Sequence, residues 1–178
     1  MAEVSIYEGL LSGGHPNSLG NTVEVVTAVG SNPDLLAELI QTYGSDDPVV
    51  RLRVSSALKR VAHDHPVMVH ASLASIMGWV REIDQPSAWW SLSQLFHALK
   101  GLLSERERAE ALELMKAVLT SHDDWIVINQ TMGTLGEWAR SDDELRRWLL
   151  PVLEHFTHES RISISKRARR YLDLLAPL

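Results

Sequence analysis

Asp46-Asp47-Pro48-Val49-Val50-Arg51-Leu52-Arg53-Val54-Ser55-Ser56-Ala57-Leu58-Lys59-Arg60-Val61 decides how the chain is read. Asp47 is an N-cap residue, because its carboxylate accepts from free amides of a helix's first turn. Pro48 then takes the first helical position, where its missing N–H costs nothing. Val50, Val54, Ala57, Leu58 and Val61 follow at spacings of three and four, one face of a 3.6-residue period. Arg51, Arg53, Ser55, Ser56, Lys59 and Arg60 fall mostly on the other faces. A helix striped in this way must bury its stripe against neighbours.

The same signature recurs downstream. Gln85-Pro86-Ser87-Ala88-Trp89-Trp90-Ser91-Leu92 repeats the proline-first start, and Asp124-Trp125-Ile126-Val127-Ile128-Asn129 the acidic cap. Arg161-Ile162-Ser163-Ile164-Ser165-Lys166-Arg167-Ala168 is a fourth copy. Aligning Val50, Ala88, Val127 and Ile164 gives offsets of 38, 39 and 37. A period near 40 built from two helices lies in the range of helical solenoids.

At these residues the chain resembles the HEAT-repeat family (the HEAT/armadillo-like α-solenoids). Asp47-Pro48-Val49-Val50-Arg51 with Ala57-Leu58 is similar to the family's Asp-Pro-x-Val-Arg opening and following Ala-Leu pair. The resemblance covers roughly residues 33–176. The family's arginine position holds Arg51 in the first copy and Trp89, Ile128 and Ser165 in the others, so three copies depart from the pattern. The resemblance implies an all-α fold, a right-handed α-solenoid of about four HEAT-like helix pairs plus an N-terminal helix. It implies scaffolding or partner binding, and it fixes no reaction.

Outward from the anchor, residues 1–18 read as a flexible N-terminal segment because of Gly13-Gly14-His15-Pro16-Asn17. Ile6, Tyr7, Leu10 and Leu11 within it suit one short helical turn. Residues 19–178 read as a single domain. Helices are expected over 19–30 with Val23, Val26 and Val29 inward, and over 33–43 with Leu35, Leu36, Leu39 and Ile40 apolar. Others are expected over 48–63, 66–82, 86–100, 105–120 and 125–139, then one containing Pro151 and one over 161–175. That makes nine, a solitary first helix and four antiparallel pairs. Ser104-Glu105-Arg106-Glu107 and Ser141-Asp142-Asp143-Glu144 read as capping boxes. Pro151 removes a backbone bond and should kink its helix. In solenoids the second helices of the pairs line the concave side; these are 48–63, 86–100, 125–139 and 161–175.

The 178 residues fit one domain that buries about 70% of its unfolded surface. The absence of cysteine excludes disulfides, thiolate zinc sites and cysteine nucleophiles and suits a cytoplasmic setting. No basic region followed by a long apolar run opens the chain, so no signal peptide is expected. No apolar run reaches membrane-spanning length. Residues 1–139 carry 9 Lys/Arg against 17 Asp/Glu, and residues 140–178 carry 8 against 6. The acidic body speaks against a polyanion partner; the basic end keeps a local anionic contact open.

Six tryptophans stand out. Trp79, Trp138 and Trp148 lie on or beside apolar stripes and are expected in the core. Trp89, Trp90 and Trp125 sit at helix starts; Trp89 and Trp90 are adjacent, so one face cannot bury both. Lys166, Arg167, Arg169 and Arg170 make the last helix basic, which a solvated terminal face explains as well as an acidic contact does. His155 and His158 have metal-compatible spacing but lack further ligands nearby; no metal or cofactor is expected. Ser163-Ile164-Ser165-Lys166 matches Ser-x-x-Lys without its companion motifs. The paired carboxylates at helix starts complement helix dipoles. No catalytic residue is nominated.

The expectation is therefore a non-enzymatic protein–protein interaction or scaffold module. Its partner-binding face would comprise Arg51, Lys59, Trp89, Trp90, Gln94, His97, Ile128, Asn129, Lys166, Arg169 and Arg170. The alternatives are a nucleic-acid-binding relative of the HEAT-like DNA glycosylases, a helical-repeat lyase of the bilin-lyase kind, or a homo-oligomer formed through the Trp89/Ile128 region.

Overall fold

The computed structural model describes residues 5–15, 18–83 and 85–176. These residues are all-helical, with no strand among them. None of their helices is long and apolar enough to cross a membrane. The chain divides into two compact units, Met1–Leu103 and Ser104–Leu178.

The first unit holds α1 (Ile6–Leu11), α2 (Thr22–Ser31), α3 (Leu35–Gln41) running into a 3-10 turn (Thr42–Gly44), α4 (Pro48–Asp64), α5 (Pro66–Ala71), α6 (Leu73–Glu82) and α7 (Pro86–Leu99). The anchor stretch is α4, and it packs against α1, α2, α5 and α7. Asp47 Oδ1 accepts from the Val49 amide at 2.8 Å, which fixes the helix start as the sequence predicts. Val50, Val54, Ala57, Leu58 and Val61 are completely buried.

Three expectations for this unit change. On α2 the inward face is Thr22, Val25 and Val29, while Val23 is 52% exposed. Three valines at i+3 spacing compete with an equally good i+3, i+4 register, and the latter wins. The expected helix 66–82 is two helices, interrupted at Ser72, whose backbone amide turns back to His70 and Val69. The expected flexible segment contains α1, which buries Tyr7 and Leu11. Pro16, Asn17 and residues 1–4 of that segment lie outside the described residues.

Arg53 explains why that segment is held. It is 1% exposed and not on a polar face. Its five N–H groups meet five acceptors. Nη1 donates to the carbonyls of Leu11 and Gly13, at 2.6 and 2.7 Å. Nη2 donates to His15 O and Ser18 Oγ, and Nε to Ser18 O. The guanidinium thus closes the C-terminal end of α1 and the turn after it onto α4, using all the donors the side chain has. Gly20 makes this approach feasible: its φ is +52°, and a Cβ there would stand 3.0 Å from the guanidinium carbon.

The second unit holds α8 (Glu105–Ser121), α9 (Trp125–Ala139), α10 (Asp143–Phe156) and α11 (Ile162–Leu175), with α9 packed on the other three. The Ser104–Glu107 capping box forms as predicted. At the second expected box Asp142, not Ser141, is the cap. Its Oδ1 accepts from Leu145 N–H at 2.9 Å, while Ser141 Oγ turns back to the Trp138 carbonyl. Helix α10 runs unbroken from Asp143 to Phe156 with Pro151 on its exposed side. Trp138 is fully buried, as expected; Trp79 and Trp148 are only half-buried. Lys116 lies over the Trp148 ring. Gly136 lets α11 approach α9: a Cβ there would fall 2.5 Å from Tyr171 Cδ1.

Candidate binding surfaces

In the first unit, Arg51 is an internal tie between α4 and the start of α7. Its Nε donates to Gln85 Oε1 at 2.6 Å and its Nη1 to the Ser45 carbonyl at 2.9 Å. Gln85 completes the bridge by donating to the Pro48 carbonyl and Ser87 Oγ. Two turns on, Lys59 Nζ donates to Gln94 Oε1 at 2.8 Å. The structure therefore brings Lys59 and Gln94 together, and Trp90, Gln94 and His97 follow one another at i, i+4 and i+7 along α7. Trp89 and Trp90 are both half-buried and His97 is exposed.

Beside Lys59 runs an open groove of about 700 Å³ between α2 and α4. Val23 and Val26 form one wall, and Ser56, Lys59 and Arg60 the other. Burial, and secondarily the neighbouring Arg60 charge, hold the Lys59 amine below its ordinary pKa. At the end of the groove His63 Nδ1 and Asp64 Oδ1 pair at 2.8 Å.

In the second unit, the nominated residues separate. Ile128 and Asn129 are 9% and 7% exposed, so neither is an open contact. The Asn129 carbonyl accepts from Arg167 Nη1 at 2.8 Å, tying α9 to α11. Arg169 donates to the carbonyl of Thr157 at the end of α10 at 2.9 Å, and so acts as a helix cap. Arg170 lies 5.7 Å from the ring centre of its neighbour Tyr171. Lys166 is exposed.

This unit has a cleft of about 610 Å³ lined by the end of α8, the start of α9, the second half of α10 and the start of α11. Its apolar floor is Ile128, Phe156 and Ile164, all nearly buried, with Pro151 at the side. Its rim carries Trp125, 38% exposed, with the Arg161 guanidinium 4.7 Å above the ring centre. This is cation–π stacking on the best aromatic for it. Among the described residues no carboxylate forms an ion pair with this guanidinium. The sequence singles out Trp125 but not Arg161. The signal was available: Arg161 precedes the fourth helix start as Asp124 precedes the third, so the period brings it beside Trp125. His122 and His155 also line the cleft. His122 Nδ1 accepts from the Asp124 amide at 2.9 Å, which sets its neutral tautomer with the proton on Nε2.

Among the described residues no group of three or more histidines or carboxylates is placed to hold a metal ion. Comparison of the chain with protein-family models, with curated proteins and with solved structures gives no match.

Proposed function

We propose that this chain is a HEAT-like helical-repeat module that holds a partner protein, and that the Trp125 cleft takes an apolar side chain of that partner. The carrying observation is the Trp125–Arg161 stack standing over the apolar floor of Ile128, Phe156 and Ile164. A half-open indole with a stacked arginine above an apolar floor has the composition of an interface hot spot. The repeat reading is supported within each unit by polar bonds between helices that are not neighbours in sequence. Arg51–Gln85 and Lys59–Gln94 join α4 to α7 across 34 and 35 residues. Arg167–Asn129 and Tyr171–Glu137 join α11 to α9 across 38 and 34. Such spacing is what stacked helix pairs of a solenoid require.

The test is capture of partner protein from nuclease-treated lysate by the native chain and by Trp125→Ala, with helicity matched by circular dichroism. A hot-spot aromatic contributes roughly 2 kcal/mol or more, so capture should fall about thirtyfold. Undiminished capture by Trp125→Ala rejects the cleft, and loss in a Trp89→Ala/Trp90→Ala variant would then move the site to α7.

A further inference from the structure

The groove between α2 and α4 pairs an apolar wall with two cations. Val23, 52% exposed, and the half-buried Val26 offer an apolar wall. Opposite them Lys59 and Arg60 carry adjacent positive charges. Among the described residues Lys59 is bonded to the neutral amide of Gln94, and Arg60 is in no ion pair. At the end of the groove the one acidic lining residue, Asp64, is hydrogen-bonded to His63 at 2.8 Å. Two such cations stand out in a chain whose net charge is −6. A half-buried ammonium beside a like charge is destabilised, and an incoming anion relieves that repulsion most where water is already partly excluded.

We propose that this groove docks an acidic amphipathic segment of a partner protein, seating aliphatic side chains on Val23 and Val26 and carboxylates against Lys59 and Arg60. The charges select the sign of the ligand, and the valine wall selects its amphipathic character. A nucleic acid is a poorer fit. Single-strand binding draws on aromatic stacking platforms, and the groove walls hold none. The proposal stands independently of the Trp125 cleft, which lies in the other unit.

The probe is a dye-labelled synthetic peptide with Leu at i, i+3, i+4 and i+7 and Glu elsewhere, read by fluorescence anisotropy. Its Glu→Lys and Leu→Ser counterparts, and vesicles of an anionic phospholipid, serve as comparisons. The native chain should bind the Leu/Glu peptide, and Arg60→Glu and Val23→Asp should each weaken it about tenfold or more. Both variants leave the Lys59–Gln94 bond in place, so loss of binding is not loss of the α4–α7 tie. Lys59→Glu/Arg60→Glu should abolish binding, and Trp125→Ala should bind as the native chain does. Equal binding of the Leu→Ser peptide, equal binding by the variants, binding of vesicles in preference to the peptide, or no binding by the native chain would each overturn the proposal.

Discussion

The two units close their helix packing by different means. In the first, the ties are buried and part-buried hydrogen bonds: Arg53 to four backbone carbonyls and a hydroxyl, Arg51 to Gln85, and the Tyr43 hydroxyl to Ser55 Oγ at 2.8 Å. In the second, hydrogen bonds also tie α9 to α11, and shape is added to them. Gly136 gives way so that the Tyr171 ring lies on α9, and the fully buried Trp138 fills the space beneath with Arg108 stacked 4.9 Å from its centre. A buried hydrogen bond loses most when one partner is removed, because the other is left desolvated. A close-packed glycine site loses most when an atom is added. The units should therefore fail under different substitutions, deletion in the first and insertion in the second.

The largest effect is expected at Arg53. Arg53→Ala removes a fully buried side chain and strips five acceptors, of which the Leu11 carbonyl is buried while the exposed turn can recruit water. A loss of roughly 3–5 kcal/mol is expected, in the range of large core truncations and broken buried polar networks. Urea unfolding measures it, and hydrogen exchange should show faster exchange in α1. Arg53→Lys restores the charge but at most three of five donors, and should recover only part of the loss. A full rescue by lysine would mean that charge, and not the fork of donors, holds the segment.

Next in size is Gly136→Ala. The added methyl would meet Tyr171 ring atoms at 2.5, 2.6 and 2.7 Å, contacts that only a shift of α11 can relieve. Overpacking of this kind costs about 1–3 kcal/mol, set against a helix-propensity gain of up to about 1 kcal/mol. Gly133→Ala is the control. Its methyl meets Arg167 Nη1 at 2.7 Å, the end of a flexible side chain that can shift. The cost should be limited to the Arg167–Asn129 hydrogen bond, about 0.5–1.5 kcal/mol before the propensity gain, and smaller than that of Gly136→Ala by thermal unfolding. Equal destabilisation by both alanines would show that helix backbone, not ring packing, sets the limit.

These positions also show how far the sequence could be read. Helix existence and caps were legible because apolar period, Pro48, Asp47, Ser104 and Asp124 each carry a local physical meaning. Arg53 was grouped with the residues off the apolar face, although its spacing to Val50 and Ala57 is three and four, the spacing of the buried stripe. The break at Ser72 has neither glycine nor proline to announce it. The valines of α2 allow two registers, and only tertiary packing selects one, leaving Val23 as a groove wall. Of the candidate cleft, Trp125 was visible as an aromatic at a helix start. Arg161 needed the repeat period to be used as a ruler across two helices.

A smaller effect is expected at Tyr43. Tyr43→Phe deletes a buried hydroxyl that burial holds in its neutral form, its pKa raised well above the ordinary 10.0. Ser55 Oγ keeps its bond to the Arg51 carbonyl, so no donor is orphaned. The loss should be about 0.5–1.5 kcal/mol by urea unfolding. A cost comparable to that of Arg53→Ala would show that the bonds of this unit act as one network.

The smallest effect is expected at the polar tie of the second unit. Asp142 caps α10 and accepts from Arg108 Nη2 at 2.7 Å. The Leu145 amide, aided by Arg108 and opposed by desolvation, holds its carboxyl below the ordinary 3.8. The folded state therefore binds the proton more weakly than the unfolded state. Its stabilisation is complete above about pH 3.8 and is lost as pH falls through the folded pKa. Asn is as good a cap as Asp, so Asp142→Asn isolates the charge and should cost about 0.2–1 kcal/mol at neutral pH. Urea unfolding of both proteins across the acid range should give curves that are parallel above the carboxylate range and converge below it. If the gap at neutral pH were as large as that of Gly136→Ala, the second unit would depend on charge as much as on shape, and the contrast between the units would fail.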